Sequence, residues 1–479
     1  MSQYVFGRGK WVFVDWMGID PGYGTAWGGA LGDGFYVPEG VALKPHRVAA
    51  DPEPVLRSES PWENVMLGAY CTVLKDEGLY RCWYEPYYLD NGKLAQREIA
   101  YAESDDGIAW RKPKLGLTEF NGSKANNLVD LGSRGWAHGQ SVMKDPAAPP
   151  EARYKMVSCG CDKERTIATA VSPDGLRWTW VDPVLKGNNS DTQNILHYNA
   201  DTRRYVLYTR QTDGVMQRRG VNRSESPVFG QFPPSIPVLE SGPLDLPDLD
   251  FYTNGYSPWP GAVHAHVMRT SVYRHTADTV EVVLATSRDE RLWHRPLGNE
   301  PWLVPAIAPR FRPMVTYACA GIVPTGAGEW STYVGAIAKG HNHPENAYGL
   351  ASPSEGLLRV PMREDGFMSV SAEGHGQFWT IPFRLASKGL ALNARASYSG
   401  GIRCEVLEAG PGETGEAVTV GKALPGYTLD DCVAATGDAV NAPVVWRGGS
   451  LAALAGRTVR LRFVLFKADL YALKFEAAD

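Results

Sequence analysis

Ser104-Asp105-Asp106-Gly107-Ile108-Ala109-Trp110 returns as Ser172-Pro173-Asp174-Gly175-Leu176-Arg177-Trp178 and again as Ser287-Arg288-Asp289-Glu290-Arg291-Leu292-Trp293. Each copy ends a strand-like run with Ser, places Asp two residues on, and closes with Trp. A degenerate copy, Ser224-Glu225-Ser226-Pro227 leading to Phe232, lies between the last two. Self-similarity at blade-sized intervals of 68, 52 and 63 residues means one supersecondary unit stacked repeatedly. Asp-Gly makes a tight turn at low steric cost, while the Ser and the trailing aromatic close the hairpin and fill the gap to the next unit. Asp106, Asp174 and Asp289 are therefore turn formers, and the repeat reads as a β-propeller.

Working outward, five segments share one order of strand, turn, second apolar-aromatic strand and third strand. Their second strands align as Tyr80-Arg81-Cys82-Trp83-Tyr84, Tyr154-Lys155-Met156-Val157-Ser158, Tyr205-Val206-Leu207-Tyr208-Thr209, His266-Val267-Met268-Arg269-Thr270 and Trp330-Ser331-Thr332-Tyr333-Val334. The run before each is the expected innermost strand: Ala69 to Lys75, Gln140 to Asp145, Asn194 to Asn199, Asn254 to Pro260 and Ala318 to Pro324. Beyond about Asp365 no further tag occurs. Gly-rich turns at Ser399-Gly400-Gly401 and Gly410 to Gly415 separate strand candidates Ile402 to Leu407, Val444 to Trp446, Val459 to Phe466 and Leu470 to Phe475, which predict a β-sandwich. The only helix signal, Ser450 to Ala455, is short. The expected class is all-β, with a five-bladed propeller over 1–365 and a C-terminal β-sandwich over 366–479.

Composition agrees with many short strands joined by turns: 479 residues carry 51 Gly, 34 Pro, 15 Trp and 22 Tyr. A net charge of −5 without a Lys/Arg run argues against nucleic acid or an anionic membrane as partner and fits a neutral polar substrate better. Met1 to Val14 has no apolar stretch of signal-peptide length and no later segment reaches membrane-span length, so a cytoplasmic protein is expected. Seven scattered cysteines are not a disulfide framework. Cys159-Gly160-Cys161 lacks the spacing and second ligand pair of a zinc site, so neither metal nor cofactor is expected.

Pro61-Trp62-Glu63, Tyr101 to Gly107, Phe120-Asn121-Gly122, Ser190-Asp191-Thr192-Gln193-Asn194 and Arg223-Ser224-Glu225-Ser226 together resemble the five-bladed glycosidases of the invertase, levanase and arabinanase type, glycoside hydrolase families 32 and 43, and a family-32-like bacterial branch. The resemblance covers most of the chain at the level of architecture and implies glycoside hydrolysis, with a furanoside as the natural substrate. Trp16-Met17-Gly18-Ile19-Asp20-Pro21-Gly22 is similar to the Trp-Met-Asn-Asp-Pro-Asn-Gly motif of family 32, but both Asn positions are replaced. Lys144-Asp145-Pro146 and Cys404-Glu405 match the other two family signatures in neither order nor blade position. The invertase triad is therefore not carried over, and Asp20 reads as a turn residue.

Glycoside cleavage needs two carboxyl groups flanking the scissile bond. In a propeller they come from the entrances of inner strands, which gives Glu63, His138, Asp191, Asp250 and Tyr317. Asp15, in Phe13-Val14-Asp15-Trp16, is a further candidate because propellers close with N-terminal sequence and an acid in such a strand needs a partner. Asp191 leads: it ends a polar run just before an apolar strand, with Gln193 and Asn194 able to bond sugar hydroxyls, the plainer reading being an Asx-turn. The catalytic set is thus Asp191, Glu63, Asp15 and Asp250. Trp62, Tyr252 and Asn254 flank those acids as substrate contacts. Glu85 sits in the tyrosine cluster Tyr84-Glu85-Pro86-Tyr87-Tyr88, Arg210 and Arg269 end matching strands, and His341-Asn342-His343 lies in a loop that can overhang the channel.

The sequence alone thus reads as a glycoside hydrolase. A phosphorylase or transglycosylase on the same fold requires Arg, Lys or His beside the acid, for which Arg210, Arg269 and His138 are candidates. A non-catalytic carbohydrate-binding propeller is the reading if no two carboxyls converge.

Overall fold

The computed structural model describes residues 6–21, 37–95, 98–159, 166–185, 190–211, 218–262, 264–304, 313–342, 355–409 and 421–477. Gly22, Gly160, Cys161, the start of the polar run before Asp191, His343 and Gly410 to Gly415 lie outside the described residues. The described residues form strands and short 3-10 turns, with no α-helix, so the class is all-β. None of their helices is long and apolar enough to cross a membrane. Two compact units emerge: Arg47–Pro258 with His266–Met362, and Met1–His46 with Trp259–Ala265 and Arg363–Asp479. The N-terminal 46 residues thus belong with the C-terminal sequence rather than with the tag-bearing repeats.

In the first unit the repeats form antiparallel sheets. Met66–Asp76, Leu79–Asp90, Ala100–Ser104 and Trp110–Arg111 make one, Ser141–Lys144, Tyr154–Cys159, Ile167–Ser172 and Thr179–Leu185 the next, and Ile195–Asn199, Arg204–Gln211, Gly220–Ser226 and Ile236–Leu239 a third. A nine-stranded sheet contains the last two repeats, joined by one parallel pair, Val280 with Val315. Its final partner is Leu56–Arg57, which pairs with Gly356–Arg363, so sequence preceding the first repeat completes the last one.

The tags are hydrogen-bonded turns. Asp106 Oδ1 accepts the amides of Ile108 and Ala109 at 2.7 and 2.8 Å, and Ser104 Oγ accepts that of Gly107 at 2.9 Å. Asp174 and Asp289 repeat the pattern. Backbone amides hold the Asp106 carboxyl below its ordinary range. Gly107 and Gly175 adopt φ of 77° and 76°, and in the third tag Glu290 takes the same left-handed position at 64°. A side chain there is strained, and Glu290 is held by Arg223 at 2.8 Å and the Tyr256 hydroxyl at 2.9 Å.

Each intact tag receives an aromatic from the fourth position of another repeat's aligned second strand. Trp83 Nε1 donates to Gly175 O at 2.6 Å, the Tyr208 hydroxyl to Glu290 O at 3.3 Å and the Tyr333 hydroxyl to Gly107 O at 2.6 Å. Those contacts run from the first repeat to the second, from the third to the fourth, and from the last back to the first. The same fourth position holds Val157 and Arg269 in the other two repeats, which precede the degenerate copy and the repeat without a tag. Arg269 is fully buried and donates to Gly255 O, Gly321 O and Ser257 Oγ, so it packs the fold and offers nothing to a ligand.

The second unit is built on the long strands Met368–Trp379, Ser387–Glu408 and Thr458–Ala477, with Ala42–Pro45 and Asp438–Pro443 at the edges of the sheet. Val459 to Phe466 and Leu470 to Phe475 are one continuous strand, and Ser399-Gly400-Gly401 is a register shift inside Ser387–Glu408 rather than a turn between strands. Ser450 caps a single 3-10 turn, Leu451–Leu454. Asp365, fully buried, accepts hydrogen bonds from Trp259 Nε1 at 2.9 Å, Lys10 Nζ at 3.0 Å and Asn393 Nδ2 at 3.1 Å, tying three distant segments into this unit.

Candidate active site

Within the first unit the entrances of the inner strands converge on a cavity of about 250 Å³. Its wall takes Tyr70 from the first repeat, His138 from the second, Asp191 from the third, Tyr252 from the fourth and Tyr317 from the fifth. The rings form a continuous surface, with centroids 5.5 Å apart for Tyr70 and His138, 5.8 Å for Tyr70 and Tyr317 and 6.0 Å for Tyr252 and Tyr317. Lys339, His341 and Glu355, from the connection between the last two strands of the fifth repeat, complete it.

Asp191 is the exposed acid of this wall, its side chain 59% accessible and paired with the nearly buried Arg210 guanidinium. Arg210 also lies 5.3 Å over the Tyr252 ring, and its Nε and Nη1 are buried without a hydrogen-bond partner. Glu85 stands behind the wall: its carboxylate binds His138 Nδ1 and accepts the Gly139 amide at 3.0 Å, so it orients the imidazole rather than meeting a ligand. Glu355 is buried and accepts the Ala338 amide at 2.8 Å. Burial drives the Tyr70 and Tyr87 hydroxyls well above their ordinary range, so both remain protonated donors.

His341 Nδ1 meets the Tyr317 hydroxyl at 2.6 Å, and the ring packs 4.6 Å from Tyr252. Burial, then Arg219 and Arg210, pulls its pKa down to about 4. The unfolded chain binds that proton near pH 6.5, so between pH 6.5 and 4 it holds more protons than the folded one and stability falls on acidification. The full span is worth about 3 kcal/mol. His341→Asn should flatten this part of the stability curve, measured by urea unfolding at pH 7 and pH 4.5; parallel curves for variant and parent would contradict the assignment.

Several expected residues lie elsewhere. Glu63, fully buried, is bonded to Lys112, the Tyr84 hydroxyl at 3.0 Å and the Glu59 amide at 3.1 Å; Pro61–Glu63 forms a 3-10 turn that tucks it inward. Trp62 donates to Asn127 Oδ1 at 2.9 Å. Asp250 accepts from the Arg219 amide at 3.1 Å and binds His275 Nε2 at 2.8 Å, leaving Tyr252 to face the cavity. Asp15 belongs to the other unit, where its Oδ1 accepts the Met17 amide at 2.9 Å. Asp20 there is ion-paired with Arg460. Gln193, Asn194 and Asn254 are buried and spend their amides on the backbone: Gln193 Nε2 on Cys71 O at 2.8 Å, Asn194 Nδ2 on Thr192 O at 2.9 Å, Asn254 Nδ2 on Gln193 O at 3.4 Å. Gln193 and Asn254 tie neighbouring repeats together, and Asn194 braces its own turn. Sequence reading missed Tyr70, Lys339 and Glu355, whereas Tyr87 belongs to the tyrosine cluster that the sequence singles out. Tyr70 sat in view as the second residue of an expected inner strand, whereas nothing in the pattern marks Glu355.

Among the described residues no group of three or more His, Cys, Asp or Glu is arranged to hold a metal ion.

No protein-family model matches the chain, and no curated protein sequence does. Among solved structures it is similar to an N-acetylgalactosamine deacetylase from F. plautii in complex with blood group B trisaccharide, at a TM-score of 0.45 and 14% identity over 68% of this chain and 97% of that one. A thermostable family-43 glycoside hydrolase aligns at 0.44 and 15% identity, over 67% and 95% of the two chains. The catalytic domain of a Coprinopsis cinerea family-62 α-L-arabinofuranosidase aligns at 0.43 and 11%, over 67% and 97%.

Proposed function

We propose that Arg47–Pro258 with His266–Met362 is a five-bladed β-propeller whose tyrosine-walled cavity is the active site of a glycoside hydrolase. The nine-stranded sheet then counts as two blades joined at Val280 and Val315, and the other unit as a β-sandwich that takes in the N-terminal residues. One observation carries the functional reading: all five repeats contribute side chains to one aromatic cavity, and Asp191 is the carboxylate exposed there. Tyrosine faces suit the apolar faces of sugar rings, and their hydroxyls suit the sugar's own. Asp191, ion-paired with Arg210, is the nucleophile or the base that activates water, and Glu355 on the same wall is the proton donor to the leaving oxygen. A furanoside is the expected substrate.

The role of Glu355 has a distinctive test. A panel of aryl furanosides and pyranosides is assayed with the parent enzyme and Glu355→Gln. If Glu355 protonates the leaving group, the variant loses about 10²–10³-fold on alkyl or sugar leaving groups but far less on dinitrophenyl glycosides, which depart without a proton. Equal losses on both would remove Glu355 from that role.

A second reading, phosphorolysis, is favoured by the basic groups at the cavity: His138 and Lys339 line it, and Arg210 has two donor nitrogens beside Asp191 that no described residue meets. Inorganic phosphate in the same panel separates the two. Turnover that requires phosphate and releases a glycosyl phosphate establishes phosphorolysis, and turnover indifferent to phosphate establishes hydrolysis. No turnover of any glycoside, with tight binding of oligosaccharide, would favour a lectin-like propeller.

A further inference from the structure

In the unit formed by Met1–His46, Trp259–Ala265 and Arg363–Asp479, strand Ser387–Glu408 breaks register against Thr458–Ala477 between Ala396 and Gly401. Four residues, 397 to 400, bulge outward there, and Tyr398 at the tip is fully exposed, its side chain covered by nothing. The bulge is a built feature. Ser399 adopts φ of 69°, Ser397 Oγ donates to Lys467 O at 3.2 Å, and a Cβ on Gly400 would stand 2.6 Å from Phe466 O and 2.7 Å from Lys467 O, so glycine is needed at that position. A large aromatic held in water on a braced support has no folding rationale, because its burial would have been favourable.

Tyr398 borders an open groove of about 690 Å³. Its charged lining is balanced, with Lys44, Arg395 and Lys467 facing Glu373, Asp438 and Asp469. Lys44 pairs with Asp469 at 3.6 Å and Arg395 with Asp438 at 3.7 Å, distances that leave both pairs able to share donors and acceptors with a ligand. A groove without net charge offers no attraction to a polyanion or an anionic membrane. With Tyr398 its one large apolar side chain, it also lacks the apolar core of a protein interface. What fits an isolated aromatic face flanked by alternating donors and acceptors is a polyhydroxylated ring: stacking on one face, bidentate hydrogen bonds at the edge.

We infer that this groove is a second, non-catalytic site for a neutral oligosaccharide chain, with Tyr398 as its stacking platform. The inference is independent of the chemistry assigned to the propeller cavity.

The test is affinity electrophoresis of the full chain in native gels cast with arabinoxylan, levan, mixed-linkage β-glucan or polygalacturonate, comparing the parent protein with Tyr398→Ala and Asp191→Asn. Expected is retardation in at least one neutral polymer, retained by Asp191→Asn and weakened about tenfold by Tyr398→Ala, with aryl-glycoside turnover by Tyr398→Ala unchanged. Retardation that Tyr398→Ala leaves intact would overturn the inference, as would retardation confined to polygalacturonate or absent from every neutral gel. Since Tyr398 makes no packing contribution, its removal leaves folding intact, checked by an unchanged melting temperature. A protein that turns over no glycoside yet loses retardation with Tyr398 defeats the hydrolase reading and leaves this one standing.

Discussion

Asp191→Asn should abolish turnover, lowering kcat/KM by about 10³-fold or more, with the melting temperature nearly unchanged. A nucleophile or base replaced by an amide forfeits the step that its charge performs, and a thousandfold corresponds to about 4 kcal/mol of transition-state stabilisation. Folding tolerates the change because the side chain is 59% accessible and the amide oxygen still accepts from Arg210. An exposed carboxylate of this kind contributes about 0–1 kcal/mol to stability. The measurement pairs steady-state kinetics on the best aryl glycoside with a thermal melt. Arg210→Lys is the useful companion, since a point charge keeps the ion pair but not the guanidinium plane over Tyr252. Full activity in Asp191→Asn would move the chemistry to Glu355 or out of this cavity altogether.

The architecture was legible where backbone chemistry writes itself into short motifs. Ser and Asp in the tag supply the turn's hydrogen-bond set, Gly is the residue that takes its left-handed position most cheaply, and the fourth residue of each second strand discloses whether it meets an intact tag. His138, Asp191 and Tyr317 line the cavity for a related reason: each sits where an apolar strand begins or just before it. Glu63 and Asp250 satisfied the same rule and were still misplaced. A register shift between Leu67 and Cys71 lengthens the first inner strand, and another between Phe251 and Thr253 alters the fourth, so the residues that reach the cavity are Tyr70 and Tyr252. Bulges leave little trace in a single sequence. Nor could pattern show that Asp15 and Asp20 belong to the second unit, because Gly9–Val12 pairs with Thr458–Ala477 and Asp20 with Arg460 at the far end of the chain.

Glu63→Ala should be the most destabilising of these substitutions, by about 3–5 kcal/mol, as expected when one partner of a buried ion pair is removed. Glu63 terminates a chain of donors: Trp62 Nε1 to Asn127 Oδ1 at 2.9 Å, Asn127 Nδ2 to the Tyr84 hydroxyl at 2.8 Å, and that hydroxyl to Glu63 Oε2 at 3.0 Å. From the other side Lys112 reaches Glu63 and also Arg57 O at 2.6 Å, which anchors the strand Leu56–Arg57 that completes the last repeat. Removing the carboxylate strands Lys112 and the Tyr84 hydroxyl, and it loosens the closing strand first. The expected readouts are a melting temperature lower by several degrees and faster amide exchange at Leu56, Arg57 and Leu357, with kcat/KM per folded molecule unchanged well below the melt. Glu63→Gln, which keeps the shape and one acceptor, should fall between the two. A variant that melts like the parent but has lost activity would return Glu63 to the catalytic set and put the active site on the other side of Tyr84.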